Sequence, residues 1–185
     1  MKLNLRAYIW YKFLNSLFFG ISVGSIFIIY TPLKPSVYSL GGIVLALGML
    51  TLAKWYDVMM NINIFYRITL LVEVIVLLFI GLFLIFNYSY MIALSVYIGY
   101  QITFMFGNYL VRMETISLKK TFALSIVDIM KQKGYLFGMI LSYVFYQLLE
   151  FLHITDKKIQ VYDLHIWLLL LQFFIIIFVM KAFRK

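Results

Sequence analysis

The chain predicts an all-α polytopic membrane protein with six transmembrane helices. Three observations carry that prediction: an apolar excess, six long runs almost free of charge, and a one-sided distribution of lysine and arginine. Of 185 residues, 65% are hydrophobic and only 12% are charged. A soluble domain is roughly half apolar and a quarter charged, so in water this chain would leave far too much hydrocarbon exposed. Disordered chains, disulfide-stapled modules and ordinary cytosolic enzymes are excluded on that ground. The absence of cysteine removes disulfides, thiolate metal sites and cysteine nucleophiles.

The apolar runs fall at 13–31, 36–53, 68–86, 88–111, 134–149 and 164–180. Each is long enough, with a few flanking residues, for a helix to cross about 30 Å of hydrocarbon at 1.5 Å per residue. A closed barrel would need alternating polar and apolar positions. Stretches such as Ile75-Val76-Leu77-Leu78-Phe79-Ile80 and Phe173-Phe174-Ile175-Ile176-Ile177-Phe178 do not alternate. The first run follows Lys2, Arg6 and Lys12 without a small-residue cleavage site, and reads as a retained signal-anchor. Residues 1–185 read as a single six-helix domain.

Six crossings put both termini on one side. That side then holds Lys2, Arg6, Lys12, Lys54, Arg67, Arg112, Lys119, Lys120, Lys131, Lys133, Lys181, Arg184 and Lys185, and the other holds Lys34, Lys157 and Lys158. Such a bias places both termini in the cytoplasm, at a bacterial inner membrane. It also explains the net charge of +9 as topology and contact with anionic headgroups, with no nucleic-acid partner. Between the fourth and fifth spans, residues 113–133 are too polar to cross. Phe122, Ile126, Ile129 and Met130 fall on one helical face there, the pattern of a cytoplasmic connector lying at the interface.

Helices in lipid gain little from hydrophobic association, so close packing falls to small residues four apart. The first span carries Ser16, Gly20 and Gly24, the fourth Ser95, Gly99, Thr103 and Gly107, and the fifth Gly134, Gly138 and Ser142. These stripes predict helix packing, within one chain or across a dimer seam. On the fourth span, Tyr97, Gln101, Asn108 and Arg112 share a stripe roughly opposite Gly99 and Gly107. That polar face is either a cavity lining or a set of interhelical hydrogen bonds. Asn15 and Ser22 repeat the arrangement on the first span.

Glu73 is the one ionisable side chain well inside a run. A carboxylate there costs several kcal/mol unless paired, hydrated or protonated. It is therefore a candidate for proton coupling or ion binding; the alternative is a hydrogen bond to a neighbouring helix. Glu150, His153, Asp156, Asp163 and His165 gather around the loop before the sixth span without a recognised zinc spacing, so neither a metal nor another cofactor is expected. No HExxH, GxSxG, P-loop or clustered-aspartate motif is present, and the chain does not read as an enzyme.

Three spans plus three spans form units of opposite topology, the logic of inverted-repeat transporters. The segment Leu52-Ala53-Lys54-Trp55-Tyr56-Asp57, leading through Arg67 into the third span, resembles the loop between helices 2 and 3 of the major facilitator superfamily. Ala123-Leu124-Ser125-Ile126-Val127-Asp128, followed by Lys133, Gly134 and Gly138, is similar to that family's entry into helix 5. The likeness is to a single N-terminal six-helix half. It implies two inverted three-helix repeats, Asp57 and Arg67 in a gating loop, helices 1, 2, 4 and 5 approaching the cavity, and a peripheral helix 3. Family members enclose their substrate between two halves, so the resemblance implies a homodimer or a second transporter half. The expected function is movement of a small solute or ion of unknown identity, with Asn15, Ser22, Tyr97, Gln101, Asn108 and Arg112 along its path. The competing expectation is a nontransporting membrane scaffold or assembly subunit of a larger complex.

Overall fold

A computed structural model describes residues 1–86 and 88–184; Lys185, counted above among the basic residues, lies outside them. The described chain is almost wholly helical: α1 (Leu5–Ile29), α2 (Pro35–Lys54), the single turn α3 (Tyr56–Met59), α4 (Ile62–Ile85), α5 (Tyr90–Met105), α6 (Gly107–Leu118), α7 (Thr121–Phe151) and α8 (Lys157–Ala182). α5 and α6 form one span broken at Phe106. There the amide bonds to Thr103 O, one residue nearer than the α-helical ladder requires, just before Gly107. Six helical segments are thus long and apolar enough to cross a membrane, the number expected from the charge-free runs.

Helix starts follow local chemistry. Asn4, Asn61, Ser89 and Asp156 each accept a first-turn backbone N–H in their side chains, and Pro35 opens α2 where its missing N–H costs nothing. Beyond α8, β2 (Phe183–Arg184) pairs antiparallel with β1 (Lys2–Leu3), and Asn4 N donates to Ala182 O at 2.8 Å. Both chain ends therefore sit side by side at one end of the bundle.

The connector over 113–133 is not a separate helix. Residues to Leu118 finish α6, the chain reverses at Lys119 (φ 53°), and from Thr121 it is already in the 31-residue α7. No glycine or proline interrupts residues 121–133, so the helix that keeps every backbone group bonded runs through. Its buried stripe is Ala123 and Val127, continued by Gly134, Gly138 and Ser142. That stripe leaves out the expected apolar face, of which Phe122 is 75% and Ile129 50% exposed.

Each span packs on few neighbours. α1 lies along α7 and α8, α4 lies between α8 and α5, and α5 carries α2. The α1–α7 contact is backbone to backbone: a Cβ on Gly20 would strike Tyr135 O and lie 3.0 Å from Gly138 Cα. α2 has no buried residue and leans on α5 alone among the long neighbours, its Gly41 and Gly48 receiving Tyr97 and Met105. Two apolar clusters result. One, at the end bearing the termini, gathers Tyr8, Phe65, Tyr109 and Phe183, and the other, at the far end, gathers Ile29, Phe83, Ala93, Val96 and Tyr97.

Candidate functional site

Against the first of these clusters, with Tyr11 and Phe18 shared, α1 and the α5–α6 span part and flank a cavity of about 270 Å³. Its walls include Asn15, Ser16 and Phe19 of α1 against Thr103, Phe104 and Gly107 of α5–α6. Its floor is Val72, Glu73 and Val76 of α4 with Gln172 of α8. At the far end α1 and α5 close together through Tyr30, Tyr38 and Tyr97, with the Tyr30–Tyr97 and Tyr38–Tyr97 rings both 5.4 Å apart.

Glu73 is the twelfth residue of α4, roughly 17 Å from its start, and is 1% exposed. Its Oε1 accepts from Tyr11 OH at 2.9 Å and Asn15 Nδ2 at 3.0 Å. Gln172 Nε2 donates to Glu73 Oε2 at 2.8 Å and to the Glu73 backbone oxygen at 2.9 Å. Two helices, α1 and α8, thus aim three donors at one carboxylate, which answers the cost of placing it in apolar surroundings. Among the described residues no lysine, arginine or histidine forms an ion pair with it.

Toward the terminus-bearing end lies a second buried carboxylate, Glu114 of α6. It accepts from Tyr8 OH at 2.6 Å and Lys12 Nζ at 2.7 Å, and from Lys131 Nζ of α7. Lys131 also reaches Asp128 at 3.2 Å. The Lys12 ammonium lies 5.4 Å from both the Tyr8 and Tyr11 ring centroids, so the two carboxylates are joined through one lysine and two tyrosines. A buried acid with two cationic partners is costly to break, because removing it leaves both ammonium groups uncompensated.

The polar face expected on the fourth span is not the one that meets the cavity. Asn108 and Arg112 are exposed, and the Arg112 guanidinium lies 5.6 Å from the Tyr56 ring centroid. Gln101 is half-buried with Oε1 unpaired, and Tyr97 donates to Tyr38 O in the far-end cluster. The break at Phe106 and the packing of Gly99 against the Phe79 ring set the rotation of this span, so Thr103, Gly107 and Val111 face the cavity instead. Gly107 meets nothing that would exclude a Cβ, and for Gly24 only the Tyr146 ring comes near, at 3.8 Å; neither makes the close helix contact expected of it.

Of the α1 pair, Asn15 reaches the site, while Ser22 is buried and bonded to Phe19 O within its own helix. Asp57 and Arg67 are both exposed, and among the described residues neither forms an ion pair, so the resemblance's gating loop has no latch here. The cavity also takes no residue from α2 but does take the floor of α4, the reverse of the implied layout with helix 3 peripheral. Glu114, Tyr8 and Tyr11 escaped the sequence reading, and Lys12 and Lys131 entered it only as charges that set the topology. Glu114 was hidden in the polar stretch after Arg112, although Lys12, Glu114 and Lys131 all lie within about three turns of one bundle end. His165 lies inside α8, 4.4 Å from the Phe83 ring centroid, and among the described residues no three His, Asp or Glu side chains gather as a metal site. Compared with protein-family models, curated proteins and solved structures, the chain matches none of them.

Proposed function

We propose that this chain is a half-size secondary-transporter-like membrane protein that moves a small solute through the cleft between α1 and α5–α6, as a homodimer or with a second half. The observation that carries the reading is the cavity itself: two spans held apart over a floor that presents a buried carboxylate with no ion-pair partner among the described residues. Its side is rimmed by Phe104 and Val111, which are 45% and 61% exposed, so a second half would complete the wall there.

The neighbour pattern supports two inverted three-helix repeats. Exchanging α1 with α5–α6, α2 with α7 and α4 with α8 turns the α1–α7 contact into α5–α2, turns α1–α8 into α5–α4, and leaves α4–α8 in place. Glu73 and Gln172, which meet across α4 and α8, then lie near the exchange axis, where such folds hold their solute. Glu73 is the group that couples transport to an ion or proton. The Lys12–Glu114–Lys131 bridge closes the cleft at the cytoplasmic end, and the tyrosine trio closes the outer end.

The chain has no cysteine, so single cysteines test the cleft without background. Ser16→Cys and Thr103→Cys should react in membranes with a water-soluble methanethiosulfonate reagent, while Leu47→Cys on exposed α2 stays unreactive. Equal, negligible labelling at all three would remove the water-accessible cleft. Crosslinking in native membranes should give a product of twice the monomer mass. A larger heterologous product from a protein without flux would instead favour the scaffold reading, for which α2, with no buried residue, is the available surface.

A further inference from the structure

Gln172 is fully buried, yet only half of its amide is used. Nε2 donates twice to Glu73, while Oε1 is buried without a partner. The assignment of the two amide atoms follows from their neighbours. Reversing the amide would set Oε1 within 3 Å of two oxygens, one of them a carboxylate oxygen, and would leave the donors unmet. An unpaired acceptor beside Glu73 is therefore a consequence of the packing.

The carboxylate is also incompletely used. A carboxylate offers about four lone-pair sites; here Oε1 takes two donors and Oε2 takes one. On the opposite wall, Thr103 donates its hydroxyl proton to Tyr100 O at 2.8 Å and so has only acceptor capacity left. The cations that line the cavity, Lys12 and Lys131, are both committed to Glu114. What the floor lacks is a donor or a cation.

We propose that the Glu73–Gln172 floor binds a small monovalent cation, an alkali ion or a protonated amine, through Glu73 Oε2 and Gln172 Oε1. One carboxylate balances one positive charge, whereas a divalent ion would leave an uncompensated charge in apolar surroundings. Oxygen donors from a carboxylate and an amide suit a hard ion or an ammonium group rather than a transition metal. The proposal rests on the transport reading in taking the cleft to be open to solvent, and it makes the coupling ion or the cargo cationic.

The test is thermal unfolding of the purified full chain in detergent, at fixed pH and ionic strength, with sodium, potassium or methylammonium chloride replacing choline chloride. Wild type should show a saturable rise in unfolding temperature with at least one of the three. Gln172→Met should raise the half-saturating concentration about tenfold, the cost of one lost ligand contact, and Glu73→Gln should abolish the rise. A response to alkali ions alone identifies an inorganic ion, and a response to methylammonium alone identifies an amine. No rise over choline in wild type overturns the proposal, as does an unchanged half-saturation in Gln172→Met, whether or not Glu73→Gln folds. Because no flux is measured, a chain that binds the cation but moves nothing keeps this site and loses the transport reading. A cleft that labels at Ser16→Cys without any cation response does the opposite.

Discussion

Two helix pairs, α1 with α7 and α2 with α5, use their small residues differently. Along α1 and α7, Gly20, Gly134 and Gly138 bring main chain against main chain: Cβ atoms on Gly134 and Gly138 would run into the carbonyl oxygens of Phe13 and Leu17. Along α2 and α5, Gly41 and Gly48 instead receive the side chains of Tyr97 and Met105. Backbone cannot move aside without shifting a whole helix, whereas a side chain can change rotamer. The first pair is therefore a weld that fixes α1 and α7 as one body, and the second is a socket that holds an otherwise unburied helix.

The largest effect should come from striking the weld. Gly138→Leu should cost more than about 4 kcal/mol, enough to abolish folding, read as loss of monodisperse protein in detergent. Gly20→Ala, the smallest change at the same seam, should still cost about 2–3 kcal/mol through overpacking; an unfolding temperature equal to wild type would show that the helices can part. Breaking the ionic tie that draws α6 to α1 and α7 falls on the same scale as Gly20→Ala. Glu114→Ala strands Lys12 and Lys131 and should cost about 3 kcal/mol, with Ser16→Cys in that background labelling faster as the cleft loosens.

The socket should respond more weakly. Gly41→Ala meets the Tyr97 ring, which can swing away at the expense of its bond to Tyr38 O, for about 1 kcal/mol. The smallest effect belongs to Gly107→Ala. Its Cβ meets nothing within 4 Å, so relief of the glycine penalty should leave stability unchanged or raised by up to about 1 kcal/mol. A large loss there would mean that the cavity wall closes on Gly107 in another state.

The small-residue stripe was legible as spacing, but spacing alone does not separate weld from socket or wall. Gly20, Gly99 and Gly107 look alike along the chain and differ only in what faces them: backbone, the Phe79 ring and open space. Glu73 was legible because nothing ionisable surrounds it in its run, and hydrocarbon makes any isolated charge informative. Glu114 was not, because its neighbours are polar and its partners lie 102 residues before it, at Lys12, and 17 after it, at Lys131. The stripe of Tyr97, Gln101, Asn108 and Arg112 was legible as a face but not in what it meets, because periodicity gives the relative angle of residues on one helix and not the helix's rotation against its neighbours.

Composition alone determined a helical chain with six segments long and apolar enough to cross a membrane, since length and hydropathy are properties of each segment by itself. The register of α1 on α7, the break at Phe106 that turns Thr103 and Gly107 inward, and the gathering of Tyr11, Asn15 and Gln172 around Glu73 were decided by the tertiary structure. These depend on contacts between residues far apart in the chain, where one helix's rotation sets which atoms of another it can satisfy.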